Sequence, residues 1–181
     1  MKLGRNPRLV VVGVTGSGKT TFAHALAQRL NVPHVELDAL FWEPGWREAP
    51  RDAFRERVAQ ALSGPAWVVD GNYSLARDIV WGRAETLIWL DYALPLILWR
   101  LTLRTWRRLV TRQELWNGNR ERLREVLFSR DSLYVWALKS YPKHQREYPA
   151  VLNQPEYAHL DVVRLRSPRA AGKWLSGLVT R

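Results

Sequence analysis

The stretch Gly13-Val14-Thr15-Gly16-Ser17-Gly18-Lys19-Thr20 constrains this chain more than any other. A glycine, four residues, a second glycine, a lysine and a hydroxyl residue form the Walker A pattern. Leu9 to Gly13, which leads into it, is a short apolar β-branched run suited to a strand buried on both faces, and Phe22, Leu26 and Leu30 after it recur at helical spacing. In a strand-loop-helix unit of this kind the glycines let the backbone curl into a nest of N–H groups around a phosphate. The helix N-terminus adds its partial positive charge at the same place. Gly13, Thr15, Gly16, Ser17, Gly18, Lys19, Thr20 and Thr21 are therefore expected to bind ATP, with Lys19 reaching the β- and γ-phosphates and Thr20 offering its hydroxyl to Mg²⁺.

Composition narrows the setting. With 181 residues, 46% of them hydrophobic, the chain is expected to form one domain, 1–181, around an ordinary core. The absence of cysteine excludes disulfides, thiolate metal sites and cysteine nucleophiles, and His24, His34, His144 and His159 have no metal-ligand spacing. A metal must then be held by oxygen. The best apolar run, Leu87 to Trp99, is interrupted by Asp91 and Pro95, so no membrane span is expected. The N-terminus lacks the form of a secretory signal, which predicts a cytoplasmic protein. A net charge of +11 favours a polyanionic partner, although 23 arginines against five lysines is also what a G- and C-rich genome produces. An Asn-Lys-x-Asp guanine-reading motif and the elements of a transport ATPase are both missing. A small-molecule kinase, a nucleotide-dependent switch and a nucleic-acid-associated ATPase are left.

Further along, His34 to Leu37 reads as a second strand ending at Asp38, and Asp38 to Pro50 as a loop containing Trp, Pro and Gly. Asp52 to Leu62 carries Phe54, Val58 and Leu62 at i, i+4 and i+8, a helix stopped by Gly64-Pro65. Trp67 to Gly71 and Thr86 to Leu90 are the third and fourth strands. Short apolar strands alternating with helices predict an α/β fold, an open parallel sheet covered on both faces, with ligands beyond the carboxyl ends of its strands. Asp38, Asp70 and Asp91 fall at such ends. Asp70 is expected to hold Mg²⁺ directly or through water, the alternative being an aspartate that begins a turn before Gly71. Asp38 can take a proton from a substrate hydroxyl or orient it, or else cap a helix or loop. Asp91 is expected to shape the exit of strand four.

Leu96 to about Arg112 reads as a long helix with Arg100, Arg104, Arg107 and Arg108 on one arc and Leu98, Leu101, Thr105 and Leu109 on another. Asn117-Gly118 marks a turn, after which Arg120, Arg122 and Arg124 return. Eight arginines against two glutamates between Arg100 and Arg124 predict a cationic hairpin over about 100–125. A helix from Ser132 to Ser140 continues past Pro142, His159 to Leu165 is a last strand, and Pro168 to Leu178 a closing helix. Trp67, Trp89 and Trp99 sit in apolar patterns expected in the core. Trp42 and Trp46 flank Pro44-Gly45 beside Asp38, placed to stack on an acceptor ring.

These residues resemble the P-loop kinases of the adenylate kinase and shikimate kinase kind, and more narrowly the bacterial topology modulation proteins. Leu37-Asp38-Ala39-Leu40-Phe41-Trp42, Pro44-Gly45-Trp46, Val69-Asp70-Gly71-Asn72-Tyr73, Leu90-Asp91, the run Glu114 to Glu121 and Leu165-Arg166-Ser167-Pro168 carry the narrower match. The resemblance implies a three-layer α/β/α P-loop NTPase fold with a five-stranded parallel sheet of order 2-3-1-4-5. It also implies an acceptor side after strands two and three and an arginine-rich helical lid after strand four. Arg104 and Arg108 then belong to the first arm of the lid, Arg120 and Arg122 to the return arm, and Arg166 to the adenine side. Adenylate kinases read Asp-Gly-Phe-Pro-Arg where this chain reads Asp70-Gly71-Asn72-Tyr73-Ser74, with the next arginine at Arg77. Asn72 and Arg77 become acceptor-side candidates, and phosphate and alcohol acceptors both stay open.

The expected activity is transfer of the γ-phosphoryl of Mg-ATP to a nucleotide or small hydroxylated metabolite, with no membrane partner. The alternative is a nucleic-acid-associated ATP-binding regulator without kinase activity, suggested by the charge and by the narrower family.

Overall fold

Alternation along the first strand sets the layers. Leu9 and Val11 pack into one apolar cluster and Val10 and Val12 into the other, and all four are fully buried. A strand that buries both faces must lie in the middle of a sheet with helices on either side. In the computed structural model, which describes residues 4, 6–111, 116–119 and 133–178, this strand is β1 (Arg8–Gly13), the centre of a five-stranded sheet. Its neighbours are β5 (Trp67–Asp70) and β6 (Thr86–Leu90), with β2 (His34–Glu36) and β7 (Asp161–Leu165) at the edges. All four pairings are parallel. The order β2-β5-β1-β6-β7 is the expected 2-3-1-4-5 when the strands of this sheet are counted in chain order.

One layer holds α1 (Lys19–Leu30), the first half of α5 (Leu94–Thr111) and α7 (Pro168–Ser176), through Phe22, Leu26, Ile97, Leu101 and Ala171. The other holds α2 (Leu37–Phe41), α3 (Arg51–Ala61) and α4 (Arg77–Arg83), through Phe41, Phe54, Val58, Val80 and Trp81. Helix α6 (Leu133–Leu152) serves both, with Ala137 in the first cluster and Tyr148 in the second.

The structure departs from the sequence expectations in three places. Asp38–Pro50 is not a plain loop: it contains most of α2 and an antiparallel hairpin of β3 (Trp42–Glu43) and β4 (Arg47–Glu48). Pro44-Gly45 makes its turn, with Gly45 at φ 76° and Trp46 at φ 57°. Helix α4 has no counterpart in the sequence reading, because seven residues are too few for a periodic signal. Trp99, expected in the core, is 61% exposed. It lies on the outer face of α5 with Leu103 and Trp106, while Leu101 and Thr105 face inward. Among the described residues no helix is long and apolar enough to cross a membrane.

Gly13 closes β1 at φ 152°, and a Cβ there would stand 2.7 Å from the Leu90 carbonyl oxygen. That oxygen belongs to a central strand and cannot move aside. Gly13→Ala is expected to cost about 2–3 kcal/mol, from backbone strain and overpacking together, read as a lower urea midpoint at constant m-value.

Candidate active site

The loop between β1 and α1 is held from outside. Asn72, just past β5, accepts a hydrogen bond from the Gly13 amide at 3.2 Å and donates to the Gly13 carbonyl at 2.5 Å. Both ends of the Asn72 amide are thus spent on the P-loop, and the residue braces the cradle. Inside the loop, the Ser17 amide bonds to the Val14 carbonyl at 3.0 Å. From above, the Ile97 carbonyl of α5 would lie 3.0 Å from a Cβ on Gly16, which has φ 83°. Ser17 is fully buried, and its Oγ has no partner. Thr15 is half-buried and Thr21 exposed. A buried orphan hydroxyl in a nest of amides is the chemistry of an anion cradle.

Lys19 begins α1, and its Nζ donates to the Val14 carbonyl over a long 3.4 Å. Desolvation pulls the Lys19 pKa below the ordinary lysine value. Asp70 and Asp38 act in the opposite direction and Arg104 reinforces the lowering, so these groups share one electrostatic site.

Parallel pairing places Asp70, the last residue of β5, opposite Val11 of β1. From there the Thr20 hydroxyl donates to Asp70 Oδ1 at 3.0 Å, and His34 Nε2 sits 2.7 Å from Oδ2. Asp70 is 3% exposed. A hydroxyl beside a carboxylate at the mouth of a phosphate cradle is the oxygen donor set that suits Mg²⁺, which keeps phosphates and waters as its remaining ligands. Among the described residues no group of three or more His, Cys, Asp or Glu is placed to hold a metal ion.

Asp38 lies in the first turn of α2 and receives the Tyr73 hydroxyl on Oδ1 at 2.5 Å. Burial together with the Asp38 charge drives the Tyr73 pKa far up, which keeps the phenol a donor. Beside this pair a pocket is walled by Leu37, Tyr73, Val80, Trp81 and Tyr148, with Arg77 at its edge. Arg77 is not free. It bonds to Glu147 Oε1 at 2.6 Å and lies over the Trp81 ring at 5.0 Å.

Trp42 and Trp46 do not line this pocket; their rings meet edge to face at 5.6 Å. The hairpin that carries them is gripped by the Trp116–Asn119 turn. Asn119 accepts from the Gly45 and Trp46 amides at 2.8 and 3.0 Å and donates to the Glu43 and Trp116 carbonyls at 3.0 and 2.9 Å. Asn117 donates to the Trp42 carbonyl at 2.5 Å, and the Trp116 indole to Glu36 at 2.8 Å.

The arginines of α5 run from the P-loop outward. Arg100 donates to the Ser17 carbonyl at 3.1 Å, Arg104 is within electrostatic range of Lys19, and Arg108 is half-buried one turn further. Arg120 and Arg122 lie outside the described residues. Arg166 is exposed after β7, and next to it Ser167 caps α7 by accepting from the Ala170 amide at 3.1 Å. Asp91 ties down the strand exit by accepting from Arg164 at 2.7 Å and from Gln145.

Sequence reasoning did not select His34, Tyr73, Arg100, Asn119 or Tyr148 as site residues. Only Arg100 carried a usable signal, since it shares the arc of Arg104 and Arg108. His34, Tyr73 and Asn119 bond to groups distant in the chain, and the burial of Tyr148 follows from packing alone.

Asn72→Ala is expected to weaken Mg-ATP binding about tenfold through a looser cradle, each lost hydrogen bond being worth about 1 kcal/mol, with the acceptor KM little changed; calorimetric titration of ATP checks it. His144 gives a pH test. Burial, with Lys19 nearby, holds it down to about 4 against an ordinary 6.5. The unfolded chain then binds more protons than the folded one between these values. Stability from this group is complete above about pH 6.5 and is lost as the pH falls toward 4. His144→Gln is expected to flatten that part of the pH profile of the urea midpoint.

Comparison with known proteins agrees with this geometry. The sequence model of the ATPase family associated with various cellular activities (AAA) matches residues 9–69, from β1 through β5. The shikimate kinase of Cereibacter sphaeroides is 31% identical over 150 residues, covering 71% of this chain and 70% of that protein. The shikimate kinase of Thermosynechococcus vestitus is 30% identical over 145 residues, covering 71% and 76%. Among solved structures, a shikimate kinase from Bacteroides thetaiotaomicron superposes with a TM-score of 0.56 at 16% identity, over 94% of each chain. A gluconokinase from Sinorhizobium meliloti gives 0.52 at 19% identity, over 94% and 91%. The two structures establish the shared P-loop NTPase fold, and the narrower likeness to topology modulation proteins is not among what the comparisons show. With a phosphate cradle, a Thr20–Asp70 pair and more than two thirds of a shikimate kinase matched at 31% identity, the chain belongs to the family of P-loop kinases that includes the shikimate kinases.

Proposed function

We propose that this P-loop phosphotransferase moves the γ-phosphoryl of Mg-ATP to a hydroxyl of a small metabolite, with Asp38 as the proton acceptor. The observation that carries the reading is the Asp38–Tyr73 pair. A carboxylate, oriented by a 2.5 Å hydrogen bond and close enough to Lys19 to act on its charge, faces the acceptor side. An acceptor phosphate would meet repulsion there, whereas a hydroxyl can donate to it.

In the step itself the acceptor oxygen forms a bond to the γ-phosphorus while the bond from that phosphorus to the β,γ-bridging oxygen breaks. ADP is released, and the acceptor proton passes to Asp38 Oδ2, the oxygen not engaged by Tyr73. ATP and Mg²⁺ are the cofactors of kinases of this family, and the metal neutralises charge across the β- and γ-phosphates when bound. Thr20 and Asp70 would hold it, with His34 fixing Asp70. Gly13, Thr15, Gly16, Ser17, Gly18 and Lys19 cradle the phosphates, and Asn72 braces that cradle. Arg104 and Arg108, joined by Arg100, balance transferring charge from α5; Arg120 and Arg122 are assigned to the return arm and Arg166 to the adenine side.

Asp38→Asn is expected to lower kcat by about 10²–10⁴ with the ATP KM retained, as for removal of a general base. Lys19→Ala is expected to remove acceptor-dependent ADP release altogether. A coupled ADP assay over hydroxylated metabolites and nucleoside monophosphates checks both. Phosphorylation of monophosphates by a fully active Asp38→Asn variant would overturn the assignment.

A further inference from the structure

Asp38 is carried by α2, a helix of five residues whose first turn has no side-chain cap. A helix of that length does not hold itself, because its first turn fixes several residues for a single hydrogen bond. Its own hairpin closes on it, with the Ala49 amide donating to the Phe41 carbonyl at 2.8 Å, and Arg57 of α3 donates to the Leu40 carbonyl at 3.2 Å. Further anchors come from far along the chain. Trp116 and Asn117 bond to the two residues that flank α2: the indole donates to the Glu36 carboxylate at 2.8 Å, and the Asn117 amide to the Trp42 carbonyl at 2.5 Å. Asn119 fastens the hairpin beyond, through the Glu43 carbonyl and the Gly45 and Trp46 amides.

Side chains from one four-residue turn thus converge on a short segment about 73 to 80 residues earlier in the chain. Asn117 at φ 56° and Gly118 at φ 76° supply the left-handed backbone that shapes the turn. Asn119 is 4% exposed, and its amide oxygen and nitrogen are each bonded twice, so it sits in a fully satisfied buried network of the kind that rigidifies its surroundings. From the β5 side, Tyr73 fixes one carboxylate oxygen of Asp38 itself. Arg100, earlier on α5, donates to the Ser17 carbonyl at 3.1 Å and anchors the start of the same stretch of chain on the phosphate cradle. We propose that Trp116, Asn117 and Asn119 are positioning residues for phosphoryl transfer: the turn holds α2 at both ends and so fixes where the Asp38 carboxylate stands relative to the P-loop. A misplacement of about 1 Å in a reacting group can cost about 10²-fold in rate. Holding α2 therefore acts on kcat and not on ATP binding.

This inference rests on Asp38 as the proton acceptor, and its test keeps the two apart. ADP release is followed with shikimate, gluconate, glucose, adenosine and AMP as acceptors. The proteins compared are the unmodified chain, Asn119→Ala, Asn117→Gly, Asp38→Asn, the double variant Asn119→Ala with Asp38→Asn, and Lys19→Ala as the blank. Amide hydrogen exchange of the same proteins is read by mass spectrometry. Asn119→Ala is expected to lower kcat by about 10–100-fold with the ATP KM retained. Peptides spanning 37–42 are expected to exchange about tenfold faster in that variant, while those of β1 and β5 stay unchanged. Asn117→Gly keeps the left-handed backbone and removes only the bond to Trp42, so it is expected to give the same pattern at about threefold to tenfold, and it serves where Asn119→Ala fails to fold. In the Asp38→Asn background, Asn119→Ala is expected to add less than about twofold, because a residue acting through Asp38 has nothing left to position. A loss of undiminished size in that background, exchange that rises equally across the sheet, or a kcat unmoved in both single variants overturns this inference and leaves the kinase reading standing. No ADP release above Lys19→Ala with any acceptor, or full activity of Asp38→Asn, overturns the Asp38 reading, and the positioning assignment falls with it.

Discussion

The parallel register of β1 with β5, which sets Val11 opposite Asp70, is the constraint on which the site depends. It ends both strands at the same edge of the sheet, so that the loop after β1 and the turn after β5 emerge side by side. Thr20 can then reach Asp70, and Asn72 can reach Gly13, although more than fifty residues separate one strand from the other. The register is secure because both faces of these strands are buried. A shift by one residue would exchange Leu9 and Val11 with Val10 and Val12 between two clusters of different shape.

Asparagine side chains do much of the remaining assembly by reading backbone. Asn72 grips one peptide of the P-loop with both ends of its amide, and Asn119, 4% exposed, makes four bonds to the β3–β4 hairpin and its own turn. An amide with two donors and two acceptor sites can satisfy backbone groups that no sheet or helix satisfies. Consequently the Trp116–Asn119 turn is joined to the β3–β4 hairpin, while Arg100 of α5 is bonded to the P-loop.

Electrostatics divides the site into two regions. Around the cradle, Lys19 and the half-buried arginines of α5 make a cationic region suited to triphosphate, with the Asp70 carboxylate beside Thr20 inside it. On α3 and α4 the cations are answered by carboxylates: Arg77 by Glu147, Arg55 by Asp78 and Arg57 by Glu43. The net charge of +11 is what such pairs leave uncancelled, and Lys19 of α1 and the arginines of α5 contribute to that surplus.

By itself the sequence determined the fold class, the strand order through its resemblance, the phosphate cradle and the aspartates at the strand ends. Each of these is local. A glycine loop between an apolar strand and an amphipathic helix, or an aspartate closing a β-branched run, is written in adjacent residues. What Asn72, Trp42, Trp46 and Arg77 do was decided only by tertiary structure, since each depends on a partner remote in the chain: Gly13 for Asn72, Asn117 and Asn119 for the tryptophan hairpin, Glu147 for Arg77. Trp99 shows the same limit from the other side, because a helical pattern says which residues share a face and not which face finds a neighbour. That the Tyr148 hydroxyl is buried without a partner is likewise visible only in the packed chain, because burial and partners are assigned by the fold as a whole.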